Sequence, residues 1–156
     1  MHIHVLAIGK KPTGWVDAGV QNYRKRLPKH LQLEFKNLSA ENRVRNMPPD
    51  KSIRIEGDRL LKAIPAGAYT IALDERGSNW RSKELAGHLE NWLANHNQIA
   101  ILIGGADGLA ESCREQADAM WSLSALTLPH ALVRVIVAEQ IYRAWTLLQG
   151  HPYHRE

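Results

Sequence analysis

The sequence predicts an α/β fold: a mostly parallel sheet of five or six strands with helices on both faces. Two observations predict it. Short apolar runs alternate five times with longer stretches of helical spacing, and the last helical stretch is apolar around most of its circumference, so it must be buried on two sides. At 156 residues and 44% hydrophobic, the chain is the size of one ordinary domain, read as 1–156.

Strands are expected at "HIHVLAIG" (2–9), "LQLEFKNL" (31–38), "AYTIALD" (68–74), "IAILIGG" (99–105) and "WSLSALTL" (121–128). In the first helix, Val16, Val20, Tyr23 and Leu27 share one face at steps of four, three and four. A second helix is expected over about 51–64, after a polar loop from 39 to 50 holding Pro48 and Pro49. The third carries Leu85, Leu89, Trp92 and Leu93 on one face, with Ser82 as N-cap and Glu84 favourable to the helix dipole. A fourth spans 109–119 and a fifth about 130–149. The surplus apolar surface of the fifth points to a subunit interface, because one small core cannot cover it.

No apolar stretch approaches the roughly 20 residues of a membrane span, and "MHIHVLAIGKKP" lacks the features of a secretory signal. A single cysteine, Cys113, excludes an internal disulfide, so a reducing cytoplasm is the expected location. Cys113 itself reads as structural. Charge is uneven: residues 1–62 hold 13 Lys/Arg against 6 Asp/Glu, whereas 63–156 hold 7 against 10. The basic clusters "YRKRLPKH" and "ENRVRNMPPDKSIR" suit a polyanion such as RNA, although each is also an ordinary solvated surface.

Three segments carry candidate chemistry. "ILIGGADGLAES" runs from a strand through Gly104, Gly105 and Gly108 into a helix, as phosphate and cofactor loops do. It is neither a dinucleotide fingerprint nor a Walker loop, and taken alone it reads first as a tight structural turn and only second as a ligand loop. "LSALTLPHALVRV" has small neutral side chains that leave backbone groups as its polar handles, which suits a neutral aromatic ligand such as adenine; a last core strand entering a helix at Pro129 is the competing reading. The third is the ending, "LLQGHPYHRE", with His151, Tyr153, His154 and Arg155. Composition leaves it open between a frayed end, a metal site and a catalytic arm.

"LIGGADG", "WSLSALTLPHALVRVIVAEQIYRAW" and "HPYHRE", with "YRKRLP" and "LDERG" earlier, resemble the small SPOUT-class (alpha/beta-knot) methyltransferases that modify a pseudouridine of 23S ribosomal RNA at N3. The resemblance implies a C-terminal trefoil knot, a homodimer and S-adenosyl-L-methionine as cofactor. It assigns cofactor contacts to Leu73, Gly104, Gly105, Leu123, Ser124, Ala125, Leu126, Thr127 and Leu128. It also selects the catalytic arm, with His154 as proton acceptor, Arg155 as charge stabiliser and Tyr153 stacking on or orienting the base. His130 is the second candidate base, unless it only caps the fifth helix. Arg134 and Arg143 are expected near the RNA backbone, Arg143 alternatively pairing with Glu139. On this reading the arm stays loose until substrate arrives, and the partner is 23S rRNA, as RNA or in the ribosome.

Two other classes compete. A non-catalytic RNA-binding or ribosome-associated module rests on the basic first half alone. A metal-dependent hydrolase using His151, His154, Glu156 and His130 lacks a characteristic ligand spacing, and Pro152 breaks the helix that would present the histidines together.

Overall fold

The computed structural model describes residues 1–42 and 47–154. In chain order the elements are β1 (His2–Ile8), α1 (Gly14–Arg24), β2 (Gln32–Leu38), α2 (Pro49–Ala63), β3 (Tyr69–Asn79), α3 (Ser82–Asn95), β4 (Gln98–Ile103), α4 (Glu111–Gln116), β5 (Ala119–Ser122) and α5 (His130–Leu148), followed by a 3₁₀ turn, Pro152–His154. The five strands form one sheet in the order β2-β1-β4-β3-β5, every pairing parallel.

That order separates the helices by itself. Connections β1 to β2 and β3 to β4 run one way along the sheet, and β2 to β3 and β4 to β5 run the other. Right-handed crossovers therefore send α1 and α3 to one face and α2 and α4 to the opposite one. The two cores match. Ile3, Val5 and Ala7 of β1 line up with Ile99, Ile101 and Ile103 of β4 beneath α1, α3 and α5, while Leu6, Leu102 and Ala72 face Leu60 of α2 and Cys113 of α4. A period of two in the strands thus feeds both cores, as expected of a parallel sheet buried on both faces. On the second face the helices approach closely: a Cβ on Gly57 would collide with the Cβ of Ala110.

Several expected boundaries move, each for a local reason. The helix α2 begins at Pro49, inside the expected loop, because a proline without an N–H fits the first helical position. For α3, Arg81 rather than Ser82 is the N-cap, and its N–H donates to the Glu84 carboxylate at 2.6 Å. Helix α1 stops at Arg24, so Leu27 packs on the core from the loop beyond it. Helix α4 is shorter than the expected 109–119, since the chain is already in β5 at Ala119.

The largest correction concerns 121–128. Only Ala119–Ser122 is strand; Leu123 to Pro129 are irregular. β5 is an edge strand paired with β3 alone, across a register shift between Leu73 and Ser78. Beyond it the hydroxyls turn the chain locally: Ser122 Oγ donates to Ser124 O at 3.2 Å, and the Leu126 N–H donates to Ser124 Oγ at 2.9 Å.

Candidate functional site

The C-terminal ends of β3 and β4 and the loop after β5 open on one cavity of about 920 Å³. Parallel sheets bind ligands at this edge, where connections diverge to opposite faces. Three chain segments build the walls. Leu73 follows the buried part of β3, 70–72; Ile103 ends β4, with Gly104 and Gly105 after it; and Leu123, Ser124, Leu126, Thr127 and Leu128 follow β5. Of the expected cofactor contacts, Ala125 alone does not line it and is exposed. Because β5 stops at Ser122, the peptide groups of Ala125 to Leu128 lie outside the sheet ladder.

The glycine turn has a steric reason. A Cβ on Gly104 would lie 2.5 Å from the Gly108 carbonyl, so the turn closes only without a side chain there, and Gly108 has a φ of 91°. On the other side of this turn sits Glu56, 4% exposed, which a Cβ on Gly105 would strike. Its other carboxylate oxygen accepts the Glu41 N–H at 3.0 Å. Arg114 ties two walls together: Nη1 donates to Leu109 O at 2.7 Å and lies 3.5 Å from the Asp74 carboxylate. None of Glu56, Glu41 and Arg114 is singled out by its place in the sequence, because only the fold brings them to the turn.

Charge around the cavity is predominantly acidic. Asp50, Asp58, Asp74, Glu75, Asp107 and Glu111 line it, against Arg54, Arg76 and Arg114. The apolar part is formed by Leu73, Ile103, Leu126, Leu128 and Val133.

His130 opens α5 at the cavity wall, and Pro129 is the N-cap, so the expected capping role of His130 is replaced by a side-chain contact. Its Nε2 is 2.8 Å from Gly105 O, which pins the start of α5 to the glycine turn. Arg134, expected near RNA, is 4% exposed and donates to Asn37 Oδ1, and burial lowers its pKa. It joins α5 to the end of β2 and is out of reach of a phosphate backbone. Arg143 takes the alternative: its Nε donates to Glu139 Oε1 at 2.9 Å.

The C-terminal arm lies elsewhere. Helix α5 has 19 residues, about 28 Å of rise, and the arm leaves its far end. Gly150, at φ 63°, makes the turn: its N–H donates to Leu147 O at 3.2 Å and the His151 N–H to Thr146 O at 2.9 Å, the paired bonds of a Schellman stop, with Pro152 preventing continuation. As far as Tyr153 the arm packs back against α5 and α1. The Tyr153 hydroxyl donates to Glu139 Oε1 at 3.1 Å, its ring meets Tyr142 edge-on at 4.8 Å, and the Arg26 guanidinium lies 4.2 Å from the Tyr142 ring centre and 5.1 Å from that of Tyr153. Burial, the neighbouring Tyr23 hydroxyl and the Glu139 carboxylate push the Tyr153 pKa well above its ordinary value. His154 ends the 3₁₀ turn, and Arg155 lies outside the described residues, as does Glu156.

This arrangement bears on the remaining candidates. His130 and His151 stand at opposite ends of α5, so they cannot share a metal ion within one chain. Among the described residues no group of three His, Cys, Asp or Glu side chains is placed to hold one. Cys113 is fully buried, its Sγ 3.6 Å from Gly57 O, and burial pushes the thiol up to about 11, away from nucleophilic use. His4 is half-buried, its Nε2 3.2 Å from Gln98 Oε1, whereas His2 is exposed. No helix among the described residues is long and apolar enough to cross a membrane.

A family profile described as "Predicted SPOUT methyltransferase" matches residues 1–154. The chain is 46% identical over 156 residues to the ribosomal RNA large subunit methyltransferase H of Thioalkalivibrio sulfidiphilus, 49% identical to that of Laribacter hongkongensis and 44% to that of Hahella chejuensis, covering the whole of both chains each time. A match of this extent leaves no element of the fold outside it, and the chain belongs to the SPOUT methyltransferase family.

Proposed function

We propose that this chain is an rRNA methyltransferase that moves a methyl group from S-adenosylmethionine to N3 of a pseudouridine in 23S rRNA, acting on the assembled ribosome as a cytoplasmic homodimer. SPOUT methyltransferases use S-adenosylmethionine as methyl donor. The observation that carries the reading is the cavity: an apolar slot edged by the irregular segment 123–128, whose backbone lies outside the sheet ladder, beside a predominantly acidic lining. Its donor set fits the cofactor. Leu73, Leu126, Leu128 and the peptide groups of 123–128 suit a neutral purine, Gly104 and Gly105 keep the turn tight enough to form one wall, and the carboxylates favour a ligand bearing sulfonium and ammonium charges. The path of the chain from β5 across the strand ends to His130 at Gly105 supports the trefoil knot that goes with this reading.

Bound there, the sulfonium supplies an electrophilic methyl whose transfer leaves a neutral thioether. The protein then has to align the nucleophile and manage one proton. The N3 proton of the target ring passes to His154, and Arg155 steadies the charge that spreads onto the flanking carbonyl oxygens. Tyr153 stacks on or orients the base; with its pKa raised it stays protonated near neutral pH and is no proton acceptor. Since the arm leaves α5 at the end remote from its own cavity, one protomer supplies the cofactor cavity and its partner the arm. Leu132, Val135, Ile136 and Leu147 of α5 are only partly covered within one chain, which supports an interface on this helix.

The test pairs calorimetry with methylation of ribosomes that lack the modification. Micromolar cofactor affinity is expected, with the new methyl mapped to N3 of a pseudouridine, and both are expected to vanish in Thr127→Trp, which fills the cavity from an exposed position. Affinity in the millimolar range, with or without ribosomes, rejects the reading.

A further inference from the structure

The end of the molecule that carries the arm is strongly basic. Helix α1 stops at Arg24, and the chain continues through Lys25, Arg26 and Lys29, all exposed, to His30. This corner is not merely near the arm. Arg26 lies over the rings of Tyr142 and Tyr153, and the Tyr153 hydroxyl is 3.5 Å from that of Tyr23, on the last turn of α1. Helix end and arm are therefore in direct contact. At the other end of α5 the cavity carries six carboxylates against three guanidinium groups.

From these two ends we infer that Arg24, Lys25 and Lys29 form a phosphate-binding surface that serves the partner's active site and not the subunit's own. The inference rests on the composite site proposed above. Three physical arguments carry it. An RNA strand whose base enters the cavity meets six carboxylates against three guanidinium groups on that subunit, so a net attraction for its backbone has to be supplied from outside the cavity. The arm that completes the cavity is locked to this basic corner through Arg26 and Tyr23, so bringing one brings the other. And the composite site proposed above places the basic end of each subunit beside the acidic end of its partner, an attractive arrangement made twice.

Lysines and arginines spread over a face bind RNA without regard to which subunit owns them, so ownership is the point to test. Two inactive parents are combined as a heterodimer: one subunit carries Thr127→Trp, which blocks its cavity and spares its arm, and the other lacks 151–156 and keeps its cavity. One complete site remains. Arg24→Glu, Lys25→Glu and Lys29→Glu are then placed together on either subunit, and methylation of ribosomes is measured against salt concentration. On the cavity-blocked subunit, whose arm is in use, they are expected to lower activity on the order of tenfold near 0.15 M salt and to flatten the salt dependence. On the arm-less subunit they are expected to leave activity within about twofold and the salt slope unchanged. Equal losses in both placements, or a loss only on the arm-less subunit, overturn the inference. An inactive heterodimer without the charge reversals rejects the composite site itself, and this inference with it.

Discussion

The two ends of α5 have opposite surroundings. At its start, His130 touches the glycine turn and the surroundings are mainly backbone and carboxylates; at its end, Tyr153 is held by aromatic rings, a carboxylate and the Arg26 guanidinium. The first end suits a small cationic ligand and the second a polyanion. Between them, the buried turns of α5 seat Val137, Ala138, Ile141 and Ala144 in the core, so the distance separating the two functions is set by packing and is not adjustable. In the composite site proposed above, a single copy holds two incomplete halves, joined by a rigid spacer.

The sharpest way to break this comparison is to remove one end. Deleting 151–156 is expected to lower methyl transfer on the order of a thousandfold, the range of a lost acid-base group, while cofactor affinity measured by calorimetry stays nearly unchanged. A truncated protein that methylates ribosomes at the normal rate shows that the arm is dispensable.

A smaller effect is expected where α5 is buried. Arg134→Ala removes a packed side chain and is expected to cost about 2–3 kcal/mol in urea unfolding, with Arg134→Met costing less because it refills the volume without a buried charge. The salt dependence of ribosome binding should be unaltered, in contrast to the charge reversals on Arg24, Lys25 and Lys29. A flattened slope returns Arg134 to the RNA surface.

The smallest effect lies behind the cavity. The folded state favours the neutral Cys113 thiol, whose pKa rises from 9.0 to about 11. The stability this contributes is complete below pH 9 and is lost as pH rises toward 11, because the unfolded chain ionises first. Urea unfolding between about pH 8 and pH 11 should therefore fall less steeply in Cys113→Ala than in the parent protein. Parallel profiles argue against the assignment.

Much of the fold was legible from periodicity. β1 and β4 are near-continuous apolar runs, the pattern of strands buried on both faces, and the steps of three and four in α1 and α3 place Val16, Val20, Leu85 and Leu89 in the core where the structure has them. The run 121–128 misled because alternation of leucine with small hydroxyl residues mimics a strand. Two serines can divert the backbone as readily as a sheet edge can hold it, and β5 has a partner on one side only. The role of Arg134 was hidden for a related reason: a helix apolar all round has no polar face in its sequence, so nothing local says which side a lone cation takes. The Schellman stop at Gly150 had a readable signal, a glycine followed two residues later by proline.

By itself the sequence determined the alternating α/β order, the parallel sheet, the glycine turn and, through its likeness to a known family, most of the expected residues that line the cavity. These rest on local periodicity and on motifs that stay contiguous in the chain. Tertiary structure alone decided that Arg134 is buried against Asn37, that Glu56 and Arg114 brace the cavity, and that Tyr153 rests on Tyr142, Glu139 and Arg26, at the far end of α5 from His130. Most of these contacts join residues far apart in sequence. Their partners are chosen by how helices and strands stack, and no pattern of neighbouring residues encodes that choice.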